Sequence, residues 1–160
     1  MSVVLSPVAL GEISHNINQV LTDTFHMMFN MDVSLLAKHH PPLKQGMIFS
    51  HIDMSHVNAT AFMTVAINRH LAESLASKLD PDTQPPLSSV VQDIVCEINN
   101  IAGNHLRAYL CSKAGMEFKL SLPRPGHAEI KDKNTQDLTM QFLVGKIDNL
   151  DLEFSYVPKA

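Results

Sequence analysis

Between residues 89 and 113 apolar side chains return with the period of a helix. Val91, Ile94, Val95, Ile98, Ala102, Leu106 and Tyr109 share one side at about 100° per residue, so the segment has a long face to bury. Asp93, Glu97, Asn100 and Asn104 step by four, three and four residues and line a narrow polar stripe on the other side. Arg107 extends that ridge by a turn. Ser89 and Gln92 have the spacing of a capping box, and Gly115 is placed as a left-handed stop just beyond Lys113.

Around this helix the chain divides into short periodic segments. Ser6-Pro7 reads as an N-cap with proline at the first helical position, and Ile13, Ile17, Val20, Leu21, Phe25 and Met28 continue a helix over residues 7 to 29. Residues 46 to 54 and 59 to 68 read as strands joined by a turn at Ser55-His56-Val57-Asn58, and a short helix follows over 69 to 79. The Pro-rich run from Asp80 through Pro81, Pro85 and Pro86 is a loop too short to separate domains. Residues 116 to 122, 138 to 147 and 150 to 157 alternate as strands, the last two meeting in a tight turn at Asp148-Asn149.

Composition narrows the class. A chain of 160 residues with 45% hydrophobic and 18% charged residues suits one folded domain and argues against disorder. The net charge of -4, with no basic cluster, argues against a nucleic-acid or anionic-membrane partner. No stretch reaches the length of a membrane span and residues 1 to 10 lack a basic leader region, so the expectation is a cytoplasmic protein. Cys96 and Cys111 are about 22 Å apart along one helix, too far to pair, and read as reduced core thiols.

The spaced set Asp93-x3-Glu97-x2-Asn100-x22-Pro123, with Gly103-Asn104 behind the Asn, resembles the signature of the CheC/CheX/FliY family of chemotaxis phosphatases. All four spaced positions match, and a chance match in a chain this long is expected roughly once in several hundred sequences. His105 departs from the small residue that relatives carry there. The resemblance implies a single α+β domain over residues 1–160, with an internally duplicated helix-strand-strand pattern and an antiparallel sheet packed against long helices. It also implies one intact site per chain: the first helix contains Gly11-Glu12-Ile13, but His15 stands where the Asn would be.

The same resemblance implies hydrolysis of the aspartyl phosphate on a response regulator receiver domain. Asn100 would orient the attacking water, since an amide donates and accepts at once without adding charge, and Glu97 would meet the receiver's active-site lysine. Asp93, Gly103, Asn104 and Pro123 would support the site: Asp93 by hydrogen bonding near the helix start, Gly103 by admitting a close backbone, Pro123 by ending a strand and fixing the turn through Arg124-Pro125-Gly126. No cofactor or metal of its own is required, the Mg2+ being the receiver's. The likeness to CheX implies a homodimer. Strands 138 to 144 and 150 to 157, apolar at alternate positions and poor in charge, also read as edges that a second chain would cover.

Other readings stand beside this one. A stripe of Asp, Glu, Asn and Arg is ordinarily a solvated helix face, and two Asn within a helix are poor formers that hint at another reason for their placement. A module of the same fold that binds a signalling partner without hydrolysis is the alternative function. His39, His40, His51 and His56 suggest a metal sensor, but their spacing matches no paired helical ligand set and no Cys accompanies them. Met27, Met28 and Met31 read as filling for the core or a dimer interface.

Overall fold

The computed structural model describes residues 3–37, 46–127 and 132–160. His39 and His40 lie outside them. The chain runs through α1 (Pro7–Phe29), β1 (Val33–Leu35), β2 (Met47–His56), β3 (Ala59–Asn68), α2 (Arg69–Leu79), α3 (Ser88–Ala114), β4 (Lys119–Leu120), β5 (Arg124–Pro125), β6 (Gln136–Val144) and β7 (Asp148–Pro158). All strand pairings are antiparallel, in one sheet of order β1-β6-β7-β3-β2-β4 with β5 also on β2.

The helix limits follow local chemistry. Ser6 caps α1 by accepting from the Ala9 amide, with proline at the first turn, a cap worth about 1 kcal/mol. Asn30 closes α1 in the left-handed conformation, and Gly115 does the same for α3 at φ 62°. In the strands, alternation carries the core: Ile48, Ile52 and Met54 of β2 and Leu150, Leu152, Phe154 and Tyr156 of β7 are buried, with half-exposed residues between them. The apolar faces of the three helices join these side chains in one cluster.

The two halves are related by a swap of edge strands. β3 and β7 pair at the centre, β2 and β6 flank them, β1 lies on β6, and β4 and β5 lie on β2. Each half therefore lends its short strand to the other half's long hairpin. The duplicated helix-strand-strand pattern expected from the sequence is present in this form.

Several local expectations are corrected. The residue before α3 is Leu87, with no side-chain cap, so Ser89 and Gln92 form no capping box; the helix begins at Ser88, and Gln92 turns to the sheet. The 116 to 122 strand shrinks to Lys119–Leu120, the two residues that pair with Ser55 and Met54 of β2. The last hairpin turns at Gly145, φ 63°, rather than at Asp148-Asn149, which already belong to β7. β1 was not legible as a strand, being three residues long.

The sheet edges also differ from expectation. β7 is paired along both sides and is no edge. β6 is an edge only in part: β1 pairs with residues 142–144, and among the described residues no strand pairs with 136 to 140 on that side. Cys111 is exposed and Cys96 half-buried, so neither is a core thiol. Met27 and Met28 are exposed, at 82% and 42%, since they fall outside the buried phase set by Phe25 and Phe29.

Candidate functional site

The polar stripe depends on how α3 is rotated against the sheet. Two contacts fix that rotation. Asn99 is fully buried, and its amide nitrogen donates to the Ser50 carbonyl at 2.9 Å and the Met63 carbonyl at 3.3 Å, with the Ser50 hydroxyl 3.2 Å away. A side chain at Gly103 would meet Ile52 Cδ1 at 3.1 Å and Leu120 Cδ2 and Met63 Cε at 3.4 Å. The close approach at Gly103 is thus made by side chains of the sheet, not by another backbone. Gln92 adds a third tie, donating to the Phe49 carbonyl at 2.9 Å.

With those residues facing the sheet, Asp93, Glu97, Asn104 and Arg107 are exposed and Asn100 is half-buried. Asp93 and Glu97 rim a depression of about 310 Å³ floored by Met28, Phe29, Leu79, Val90, Ile94 and Ile98. Asp93 makes no hydrogen bond to a described residue near the helix start, contrary to expectation, because the helix begins five residues earlier and its first turn lies out of reach. On the far side of α3, Ile101 and His105 line a groove of about 530 Å³ against α1, opposite Asn16, Asp23 and Met27. His105 therefore faces a groove, beside the stripe rather than in it.

Asn100 and Asn104 touch. Asn104 Nδ2 lies 2.9 Å from the Asn100 carbonyl oxygen and 3.2 Å from Asn100 Oδ1. Pro123 interrupts the strand that runs along β2. Before it, Leu120 faces Met54; after it, Arg124 faces His51. Three residues, Ser121, Leu122 and Pro123, therefore stand opposite two, Ile52 and Asp53, which is the geometry of a bulge. The chain resumes as β5 through Arg124 and Pro125 instead of turning there. Ser121 holds the bulge, its hydroxyl accepting from the Asp53 amide and its own amide donating to the Asp53 carbonyl. Arg124 pairs with the Asp53 carboxylate across the same break. β4 and β5 both contact α3, which brings the bulge to the signature helix.

The counterpart position on α1 is occupied. Tyr109, from α3, donates its hydroxyl to the Glu12 carboxylate. Partial burial, then the hydrogen bond and charge of Glu12, push the Tyr109 hydroxyl up to about 12. Burial also raises Tyr156, whose hydroxyl donates to the Val3 carbonyl. His51 Nδ1 is 3.1 Å from the Gly126 carbonyl and His56 Nδ1 accepts from the Asn58 amide, so both rings serve the backbone. Among the described residues no three or more His, Cys, Asp or Glu are grouped to hold a metal ion, and no helix is long and apolar enough to cross a membrane.

Two structural features of the site escape the sequence reading. Asn99 sits in the buried phase of the helix, next to Ile98 and one turn from Val95 and Ala102, which was a usable signal. Tyr109 falls on the apolar face by its spacing, and nothing local pairs it with a residue 97 positions earlier.

No family model and no curated protein matches the chain. Solved structures do. The chemotaxis protein CheX from Vibrio vulnificus is 20% identical, covering 92% of this chain and 98% of its own, with a TM-score of 0.72. A CheC-like superfamily protein from a Shewanella species is 18% identical over 91% of this chain and 97% of its own, at 0.71. CheX from Borrelia burgdorferi, in a complex with CheY, BeF3 and Mg2+, is 14% identical over 92% and 98%, at 0.64. The chain has the fold of the CheX and CheC-like chemotaxis proteins, over nearly their whole length.

Proposed function

We propose that this chain is a CheX-type aspartyl-phosphate phosphatase acting on a chemotaxis-type receiver domain. The observation that carries the reading is the exposed Glu97 and the half-buried Asn100, one helical turn apart on α3 of a CheX-like fold, with the Pro123 bulge against the same helix. Neither carboxylate of the stripe has a partner among the described residues, so both are available to a docking protein. The Borrelia CheX seen with CheY makes a receiver the natural partner.

In this reaction a water oxygen bonds to phosphorus as the bond from phosphorus to the receiver's aspartate oxygen breaks. The aspartate leaves as carboxylate, and the water's proton ends on inorganic phosphate. The receiver's Mg2+ and lysine neutralise the charge on the transferring group, so the phosphatase needs to supply only the placement of water. Asn100 does this with a neutral amide. Glu97 pairs with the receiver's lysine and sets the docking register. Asp93 adds negative charge to the rim, while Asn99 and Gly103 hold the helix in the rotation that exposes the pair.

One intact site per chain makes a homodimer the two-site assembly. Its joint is the part of β6 whose outer side no described strand pairs with, residues 136 to 140, a sheet edge that a second chain can cover. Light scattering at micromolar concentration should give twice the chain mass.

The deciding experiment mixes the purified protein with a phosphorylated receiver and Mg2+ and follows inorganic phosphate. Accelerated release supports the phosphatase. Binding without acceleration moves the assignment to a docking module of the same fold, and neither binding nor release removes both.

A further inference from the structure

We infer that Asn104 is a positioning residue that locks the Asn100 side-chain amide and thereby decides which of its atoms face a docked partner. The inference rests on the phosphatase reading for its catalytic consequence, while its geometry stands alone. A backbone carbonyl only accepts, so the Asn104 atom 2.9 Å from the Asn100 carbonyl must be its nitrogen. That same nitrogen lies 3.2 Å from the end of the Asn100 side chain, and the atom it meets there must also be an acceptor, Oδ1. The orientation of both amides follows from one fixed acceptor.

The consequence for Asn100 is specific. One lone pair of Oδ1 is taken, its Nδ2 is turned away with neither N–H group spent on a described residue, and one lone pair of Oδ1 remains for a water. Donation into Oδ1 also polarises the amide and strengthens its N–H groups as donors. A half-buried Asn on its own would sample several orientations of its terminal torsion, which is broad and roughly two-fold. The tie to the residue one turn later removes that freedom before any partner arrives. It also accounts for two weak helix formers on consecutive turns, where Asn104 bonds back to the carbonyl four residues earlier instead of favouring the helix.

The test compares Asn104→Leu and Asn104→Gln with the wild type and Asn100→Ala, on a phosphorylated receiver with Mg2+. Asn104→Leu keeps the size and an exposed position but cannot donate; kcat should fall about tenfold with KM unchanged. Asn104→Gln restores a donor on a longer stem and should recover part of the loss. In parallel, NMR of the free protein should find the Asn100 side-chain amide ordered in the wild type and loosened in Asn104→Leu, with the backbone spectrum of α3 preserved.

A kcat in Asn104→Leu equal to wild type, alongside a slow Asn100→Ala, overturns the inference and leaves the phosphatase standing. A rise in KM alone also overturns it, because that is a docking effect. Should the wild type release no phosphate, the phosphatase reading fails and NMR decides the positioning claim: an Asn100 amide equally ordered in both proteins overturns it.

Discussion

α1 and α3 are two versions of one helix. Ile13 and Ile98, Ile17 and Ala102, Leu21 and Leu106, Phe25 and Leu110 are all buried, each pair at the offset that relates Glu12 to Glu97. The apolar phase has been kept in both halves. The polar face has not: Val8 stands for Asp93, His15 for Asn100 and Gln19 for Asn104, and Glu12 is held by Tyr109 where Glu97 has no partner among the described residues. Packing constrains the inner face of both helices in the same way, while the outer face is free to diverge. A polar ridge retained on one helix and dissolved on its twin is harder to explain as ordinary solvation than either helix alone.

The contrast breaks most sharply where α3 has something buried that α1 lacks. Asn99→Asp would place a carboxylate against the Ser50 and Met63 carbonyls and should cost about 3–5 kcal/mol. The deficit should shrink as pH falls, because the buried carboxyl then takes a proton. Ser14→Asp, at the matching half-buried place on α1, should change stability by no more than about 0.5 kcal/mol. Urea unfolding of both variants across pH measures this, and equal losses would mean that Asn99 is not what fixes α3.

Catalysis comes next. Asn100→Ala should slow phosphate release roughly 10²-fold, the usual effect of removing one oriented group from a reacting centre, with the melting temperature preserved. His15→Ala should leave the rate as it was. A comparable slowing in both would restore α1 as a working second site. Glu97→Gln should weaken receiver binding by about 1–3 kcal/mol in titration calorimetry, and Glu12→Gln should not weaken it at all.

The smallest effect concerns the tie between the helices. With the Tyr109 hydroxyl at about 12 when folded and 10.0 as its ordinary value, the folded protein holds a proton that the unfolded chain gives up in that window. The stabilisation is complete below pH 10 and is lost as pH rises towards 12. Glu12→Gln should bring the phenolate absorbance transition of Tyr109 part of the way back, since burial remains. An unchanged transition would mean that the two groups do not touch in solution.

The local parts of this protein were legible in the chain. Ser6-Pro7 and Phe29 bound the first helix, Arg69 and Leu79 the second, and the 3.6-residue period placed Asp93, Glu97 and Asn100 on an outward face, because capping and periodicity act within a turn or two of the residues that cause them. Asn100 and Asn104 were also within reach of that reasoning, being one turn apart. Tertiary structure alone decided the rest. Alternation in 136 to 144 and 148 to 158 says which side chains point inward but not which strand lies beside which, and so it could not tell that β7 is central and β6 only partly an edge. The bulge at Pro123 exists only relative to β2, through a register that slips by one residue between β4 and β5. Asn99 became the clamp of α3 only because two carbonyls from β2 and β3 stand beneath it, and Glu12 lost its freedom to a tyrosine from the other half of the chain. A sequence fixes the period of each element; which groups meet across elements is set when the elements close on one shared core.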